Sequence, residues 1–177
     1  NDGNWERLGE LNYANRTGFN PYAVDPATNR AFGFETVNGR KALVAKTLDD
    51  TGRSEIIFAH DEVDVDGLIR IGRKRRIVGA SYVVDARRGH YFDEDLEKLR
   101  SSLANALSNN LSIGFVDASM DETKLIIRAT SDTDPGQYYL FDRTQKKLEP
   151  LLGIRPFAEK QTLATVKAVS YPAADGT

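Results

Sequence analysis

The sequence predicts an all-β fold with one helix, an incomplete β-propeller of about three four-stranded antiparallel blades. Three observations carry this. Short strand patterns alternate with turn clusters along most of the 177 residues. Two pairs of aspartates share one offset: Asp25 and Asp117 each follow a valine and open a polar turn, Asp50 and Asp142 each sit in a strand-to-strand turn, and both pairs lie 92 residues apart. Half of that offset falls within the roughly 40–50-residue period of propeller blades. Between the two copies the hydrophobic period changes once from 2 to 3.6, so the middle blade carries a helix in place of its outer strand.

Taken in order, Trp5 to Leu11 alternates weakly after Asp2-Gly3, and residues 1–18 read as the outer strand of a preceding blade with a linker. Residues 19–59 make one blade. Phe19 to Val24 runs into the Asp25-Pro-Ala-Thr-Asn-Arg30 turn, and Ala31 to Thr36 pairs with Ala42 to Leu48 across Asn38-Gly39, a strong two-residue hairpin signal. The turn at Asp50 then delivers Ser54 to Phe58. Residues 60–110 form the modified blade: Gly67–Ile71 and Arg76–Val84 pair around Gly72-Arg-Lys-Arg75, and His90-Tyr-Phe92 follows as a third strand. Asp93-Glu-Asp95 opens a helix over 93–108, with Leu96, Leu99, Leu103 and Leu107 on one face, and Asn109-Asn110 ends it. Residues 111–153 repeat the four-strand pattern, with turns at Asp117–Glu122, Ser131–Gly136 and Asp142. Residues 154–177 read as a linker and the first strand of a further domain.

Composition narrows the function classes. With 40% hydrophobic and 28% charged residues the chain can bury a core. A net charge of −2 offers no global electrostatic case for nucleic acid or an anionic membrane, so neither is expected as a partner. The absence of cysteine excludes disulfides, thiolate metal sites and a cysteine nucleophile. No apolar run approaches the roughly 18–20 residues of a spanning helix. The chain opens without a methionine or signal peptide and closes on Tyr171-Pro-Ala-Ala-Asp-Gly-Thr177, which reads as an excised piece of a longer protein.

Four constellations invite chemistry. Arg70, Arg73, Lys74, Arg75 and Arg76 are candidates for an anion patch; the plainer reading is a solvated hairpin tip, offset by Asp61, Glu62, Asp64 and Asp66 just upstream. Glu62-Val-Asp-Val-Asp66-Gly67 imitates half of a calcium loop, but Arg73 stands where the bidentate glutamate belongs, so no metal site is expected. His60 and His90 are the two histidines, no Gly-x-Ser-x-Gly elbow is present, and Ser81 sits mid-strand, so catalytic residues are not expected here. A phosphate loop and a dinucleotide fingerprint are likewise missing, and no cofactor is expected. Tyr138-Tyr-Leu-Phe141 reads as packing between blades in preference to a stacking platform.

The C-terminal phrase Val169-Ser-Tyr-Pro-Ala-Ala-Asp-Gly-Thr177 resembles the opening of the hydrolase domain in the prolyl oligopeptidase family of serine peptidases, in its acylaminoacyl-peptidase and dipeptidyl-aminopeptidase branch. Ser131-Asp-Thr-Asp-Pro-Gly-Gln-Tyr-Tyr-Leu-Phe-Asp142, and His90-Tyr-Phe-Asp93 with its helix, are similar to that branch's propeller. The resemblance implies a parent serine-type peptidase whose propeller gates a C-terminal α/β-hydrolase domain. That domain would be the chain's main partner and would supply the catalytic serine, aspartate and histidine, with peptides as substrates. The chain alone is expected to be inactive. The alternative is a stand-alone propeller-like binding or scaffold module. Either way, an open stack of blades exposes strand edges and apolar faces, so self-association through blade edges is expected.

Overall fold

The computed structural model describes residues 3, 5, 7–15, 17–49, 51–107, 110–169 and 171–175. Among them, thirteen strands form four antiparallel sheets beside one α-helix, and no sheet closes into a barrel. The chain divides into two compact units: residues 1–70 with 75–93, and residues 71–74 with 94–177.

The first unit opens with a minimal ladder, β1 (Leu11–Asn12) on β2 (Thr17–Gly18). A four-stranded meander follows, β3 (Asn20–Asp25), β4 (Arg30–Val37), β5 (Arg40–Thr47) and β6 (Ser54–Phe58), paired in chain order. The β4–β5 connection is the expected two-residue loop: Val37 faces Arg40, and Asn38 and Gly39 both take positive φ (51° and 81°), as the twist of a tight hairpin requires. The central residues of β4 and β5, Ala31–Phe34 and Ala42–Ala45, are buried in an unbroken run. A sheet covered on one face would alternate, so both faces of these strands are covered. One cover is the next sheet, β7 (Val65–Ile71), β8 (Arg76–Val83) and β9 (Arg87–Tyr91). Phe32, Phe34, Leu43 and Ala45 share a single core with Val65, Ile77 and Ala80. Strand β6, at the sheet's edge, is largely exposed.

The second unit contains α1 (Glu94–Leu107) and a meander of β10 (Ser112–Ala118), β11 (Lys124–Thr130), β12 (Gln137–Asp142) and β13 (Lys147–Gly153). The helix matches the predicted 93–108 except at its ends, Ser108 and Asn109 lying outside the described residues. Of the predicted face, Leu96 and Leu103 are buried and Leu99 and Leu107 half-buried. Glu94, Asp95 and Glu97 occupy the first turn, where the helix dipole favours them, and Glu94–Lys98 and Glu97–Arg100 pair along the surface. In β11, Leu125, Ile127 and Ala129 are buried and alternate with more exposed residues, the period-2 signature of a strand. Strand β13 is the exposed edge.

The repeat expected near 46 residues is present in the strand starts: the three sheets begin at Asn20, Val65 and Ser112, spacings of 45 and 47. The aspartates that announced it are partly reassigned. Asp25 holds its turn, accepting from the Ala27 N–H (3.0 Å) and the Thr28 hydroxyl (2.9 Å). Asp117, however, lies inside β10 beside a register shift, and Asp121 holds the following turn through Ser119 (2.6 Å) and Thr123. Asp142 caps the β12–β13 turn by accepting from the N–H groups of Thr144 and Gln145. In the matching β5–β6 turn the acceptor is Asp49, bonded by Thr47, Thr51 and Gly52; Asp50 lies outside the described residues. Asp117 and Asp121 look equivalent in a sequence, but only the one whose backbone follows the turn reaches its N–H groups.

One further expectation is corrected. Residues 7–10 form no strand, and among the described residues of the predicted Trp5–Leu11 strand Leu11 alone is paired; Trp5 is fully exposed, and Asp2 and Glu6 lie outside the described residues. A weakly alternating pattern by itself does not make a strand. Toward the C-terminus, residues 162–169 and 171–173 have no regular structure, and Ser170, Gly176 and Thr177 lie outside the described residues.

Candidate functional site

The predicted basic cluster separates into anchored and solvated members. Arg70, near the end of β7, turns inward: its Nη2 donates to the carbonyl of Tyr22 on β3 at 3.0 Å, while its Nε is buried without a partner. Burial, reinforced by the charge of Arg75, lowers the Arg70 pKa. Arg76 pairs with Asp93 at 2.6 Å, partly buried. Arg73, Lys74 and Arg75 are exposed in the β7–β8 turn, and Arg75 takes a positive φ of 54°. Arg70 therefore ties two first strands together, and the charge at the tip is carried by the three turn residues.

The half calcium loop is likewise taken up by protein partners. Asp64 Oδ1 accepts from the Lys41 N–H at 2.8 Å. Asp66 is gripped at both oxygens by the Arg87 guanidinium (2.7 and 2.9 Å) and bonded by the Ser81 hydroxyl at 3.0 Å. The Arg87 guanidinium, with help from Ser81, holds the Asp66 carboxyl below its ordinary range. Ser81 is thereby engaged in an ionic knot, and its oxygen also accepts from Arg87 at 3.1 Å. Among the described residues no group of three or more acids, histidines or cysteines is placed to hold a metal ion.

Beside this knot, within the first unit, lies a cavity of about 400 Å³. Tyr13, Tyr22 and Phe34 give it aromatic walls, and Lys41, Glu35 and Asp66 give it charge. Phe34 is buried with Tyr22 edge-on to it (centroids 4.9 Å apart), while Tyr22 and Tyr13 are 57% and 83% exposed. Glu35 is balanced by Lys46 at 3.5 Å and Asp66 by Arg87, whereas the Lys41 ammonium has no carboxylate partner among the described residues. Sequence reasoning did not find this place. Its lining comes from a short turn, three strands of one sheet and the start of β7, residues that no spacing rule brings together.

His60 and His90 meet in an aromatic cluster. The His90 ring stacks on Phe58 (centroids 4.2 Å, 11° between planes), and His60 packs on Tyr82 at 4.6 Å. Phe58 and Tyr82 complete the contact at 5.6 Å. His60 Nδ1 accepts from the Glu62 N–H at 3.1 Å, which directs its proton to Nε2. Both imidazoles thus pack against rings, and Ser81 is bonded to Asp66 and Arg87. Tyr138 and Tyr139 are half-buried within their sheet, opposite Arg128 and Ile127 of β11.

Comparison of the chain with protein-family models, with curated proteins and with solved structures finds no match.

Proposed function

We propose that this chain is a run of β-propeller blades from a serine peptidase of the prolyl oligopeptidase type, a non-catalytic part that gates peptide access to a C-terminal α/β-hydrolase domain. The observation that carries this reading is the repeat itself. Consecutive meander sheets start at Asn20, Val65 and Ser112, the middle one has three strands, and a helix follows the His90-Tyr-Phe-Asp93 phrase along the chain. Doubly covered inner strands, exposed outer strands and a core shared by two successive sheets all suit blades stacked face to face. In this reading the carboxylates of the turns are structural, and the chemistry belongs to the hydrolase domain.

The reading frame downstream of Thr177 tests this. It is expected to encode Gly-x-Ser-x-Gly followed by an acid and a histidine, within one domain's length. A stop codon soon after Thr177 refutes the proposal. The purified chain is expected to hydrolyse no acylaminoacyl or dipeptidyl chromogenic substrate, and turnover that copurifies with it would overturn the assignment of catalysis to another domain.

A second reading, a binding or scaffold module without peptidase activity, is favoured by one observation: the cavity walled by Tyr13 and Tyr22 offers exposed aromatic surface with an ammonium, as ligand sites do. In either case the edge strands carry exposed apolar side chains, Ile56 on β6 and Leu151 and Leu152 on β13. Association of the isolated chain edge to edge is the expected consequence. Light scattering that gives a strict monomer at high concentration would refute it.

A further inference from the structure

We propose that the second unit carries a groove for a linear aliphatic carboxylate, its tail between α1 and the β12–β13 hairpin and its head on Arg143 and Lys146. The helix supplies one wall with Leu99, Leu103 and Ala106, and the strands supply the other with Phe141 and Leu148. About 450 Å³ of space lies between them, within the range of small-molecule sites. Leu103 and Phe141 are buried, Leu99 and Leu148 half-buried, and Ala106 is exposed.

Charge selects the occupant. Arg143 and Lys146, in the turn between β12 and β13, line the groove, and neither has a carboxylate partner among the described residues. Their neighbours are all balanced: Asp142 by Lys124 at 3.0 Å, Lys147 by Glu149 at 2.6 Å, Glu94 by Lys98 and Glu97 by Arg100. Among the described residues no acid lines the groove, which leaves its two cations without a compensating carboxylate there. A carboxylate matches the planar fork of an arginine beside a lysine.

Polarity of the walls favours an alkyl chain over a peptide. The one polar wall residue, Ser102, already donates its hydroxyl to the Lys98 carbonyl at 2.9 Å. A peptide backbone laid in the groove would leave N–H and C=O groups facing leucine and phenylalanine without partners. A hydrocarbon tail carries no such groups and gains from every methylene it buries.

The experiment is a heteronuclear NMR titration of the whole chain with octanoate, decanoate and dodecanoate, each below its micelle concentration. Dodecyltrimethylammonium serves as the cation of equal tail. Expected are shifts confined to residues 99–107 and 141–148, and a dissociation constant tightening about fourfold per methylene until the groove is filled. Arg143→Glu with Lys146→Glu, at a half-buried and an exposed turn position, is expected to weaken the carboxylates about tenfold or more with the circular dichroism unchanged. Ala106→Trp, at an exposed helix position, is expected to block the groove and abolish binding with the circular dichroism unchanged. Equal affinity for the ammonium compound, carboxylate binding indifferent to Ala106→Trp, or no saturable shifts would each overturn the proposal. So would carboxylate-independent dimerisation that Ala106→Trp abolishes, which would give the groove to a second copy of the chain.

Discussion

Substituting Gly33 by alanine tests how closely the first two strands of the opening meander approach each other. A Cβ at Gly33 would stand 2.3 Å from the Asn20 carbonyl oxygen and 2.7–2.8 Å from the Phe19 ring. Neither neighbour gives way easily. Asn20 is backbone paired in β3, and Phe19 is 3% exposed with the Lys46 ammonium over its ring at 4.8 Å. Relief requires β3 to move by most of an ångström, an overpacking that typically costs about 1–3 kcal/mol. Gly114 is the control, an in-strand glycine of the other meander whose added Cβ would meet nothing nearer than Arg128 Nη2 at 3.8 Å. There alanine should be neutral or stabilise by up to about 1 kcal/mol, through the lost freedom of the unfolded chain. Urea unfolding followed by circular dichroism reads both variants. Trp5, the sole tryptophan, is fully exposed and a poor fluorescence reporter. A Gly33→Ala protein as stable as the parent, or less affected than Gly114→Ala, would refute the close approach.

Leu125→Ala, at a site with no exposure, should cost about 2–5 kcal/mol, whereas Leu152→Ala at 59% exposure should stay within about 0.5 kcal/mol; equal denaturation midpoints would place the core elsewhere. Arg75→Gly relieves a left-handed backbone at an arginine and should stabilise by about 0.5–1 kcal/mol, a gain seen as a raised thermal midpoint. Acid unfolding should reflect the turn carboxylates. Asp49, bonded first by Thr51, and Asp121, bonded first by Ser119, are each lowered to about 2, so their stabilisation is full above the unfolded carboxylate pKa of about 4 and is lost as pH falls through about 2. Asp49→Asn should flatten the stability profile over that window, and an unchanged profile would remove Asp49 from the account. Asp66→Asn should break the grip of Arg87 and lower the thermal midpoint, while Arg87→Lys in the parent chain should lower it by less, because an ammonium keeps the charge pair but cannot hold both oxygens.

Turn chemistry was the most legible part of this molecule. Asn38-Gly39 needs only its own two residues to take positive φ, and the switch to helical spacing at Leu96 is a local pattern, so both are readable without any partner. The choice between Asp117 and Asp121 was not legible, because it depends on the path of the backbone through the turn. Nor was the division of the basic cluster. Arg70 and Arg73 look alike in sequence, and what separates them is the Tyr22 carbonyl, 48 residues away on another strand.

The sequence by itself determined the period, the helix and the Asn38-Gly39 hairpin, which follow from local conformational preference and the alternation of apolar side chains. Only the tertiary structure decided which alternating segments became strands. The strands between residues 20 and 58 pair in chain order, whereas residues 7–10 form no strand. It also decided which charges were neutralised. Asp66 met Arg87 and Arg76 met Asp93, while Lys41, Arg143 and Lys146 line two cavities without an ion-pair partner among the described residues. Hydrogen bonds and ion pairs need atoms within a few ångströms, and no spacing along the chain reveals which distant residues the fold will bring that close.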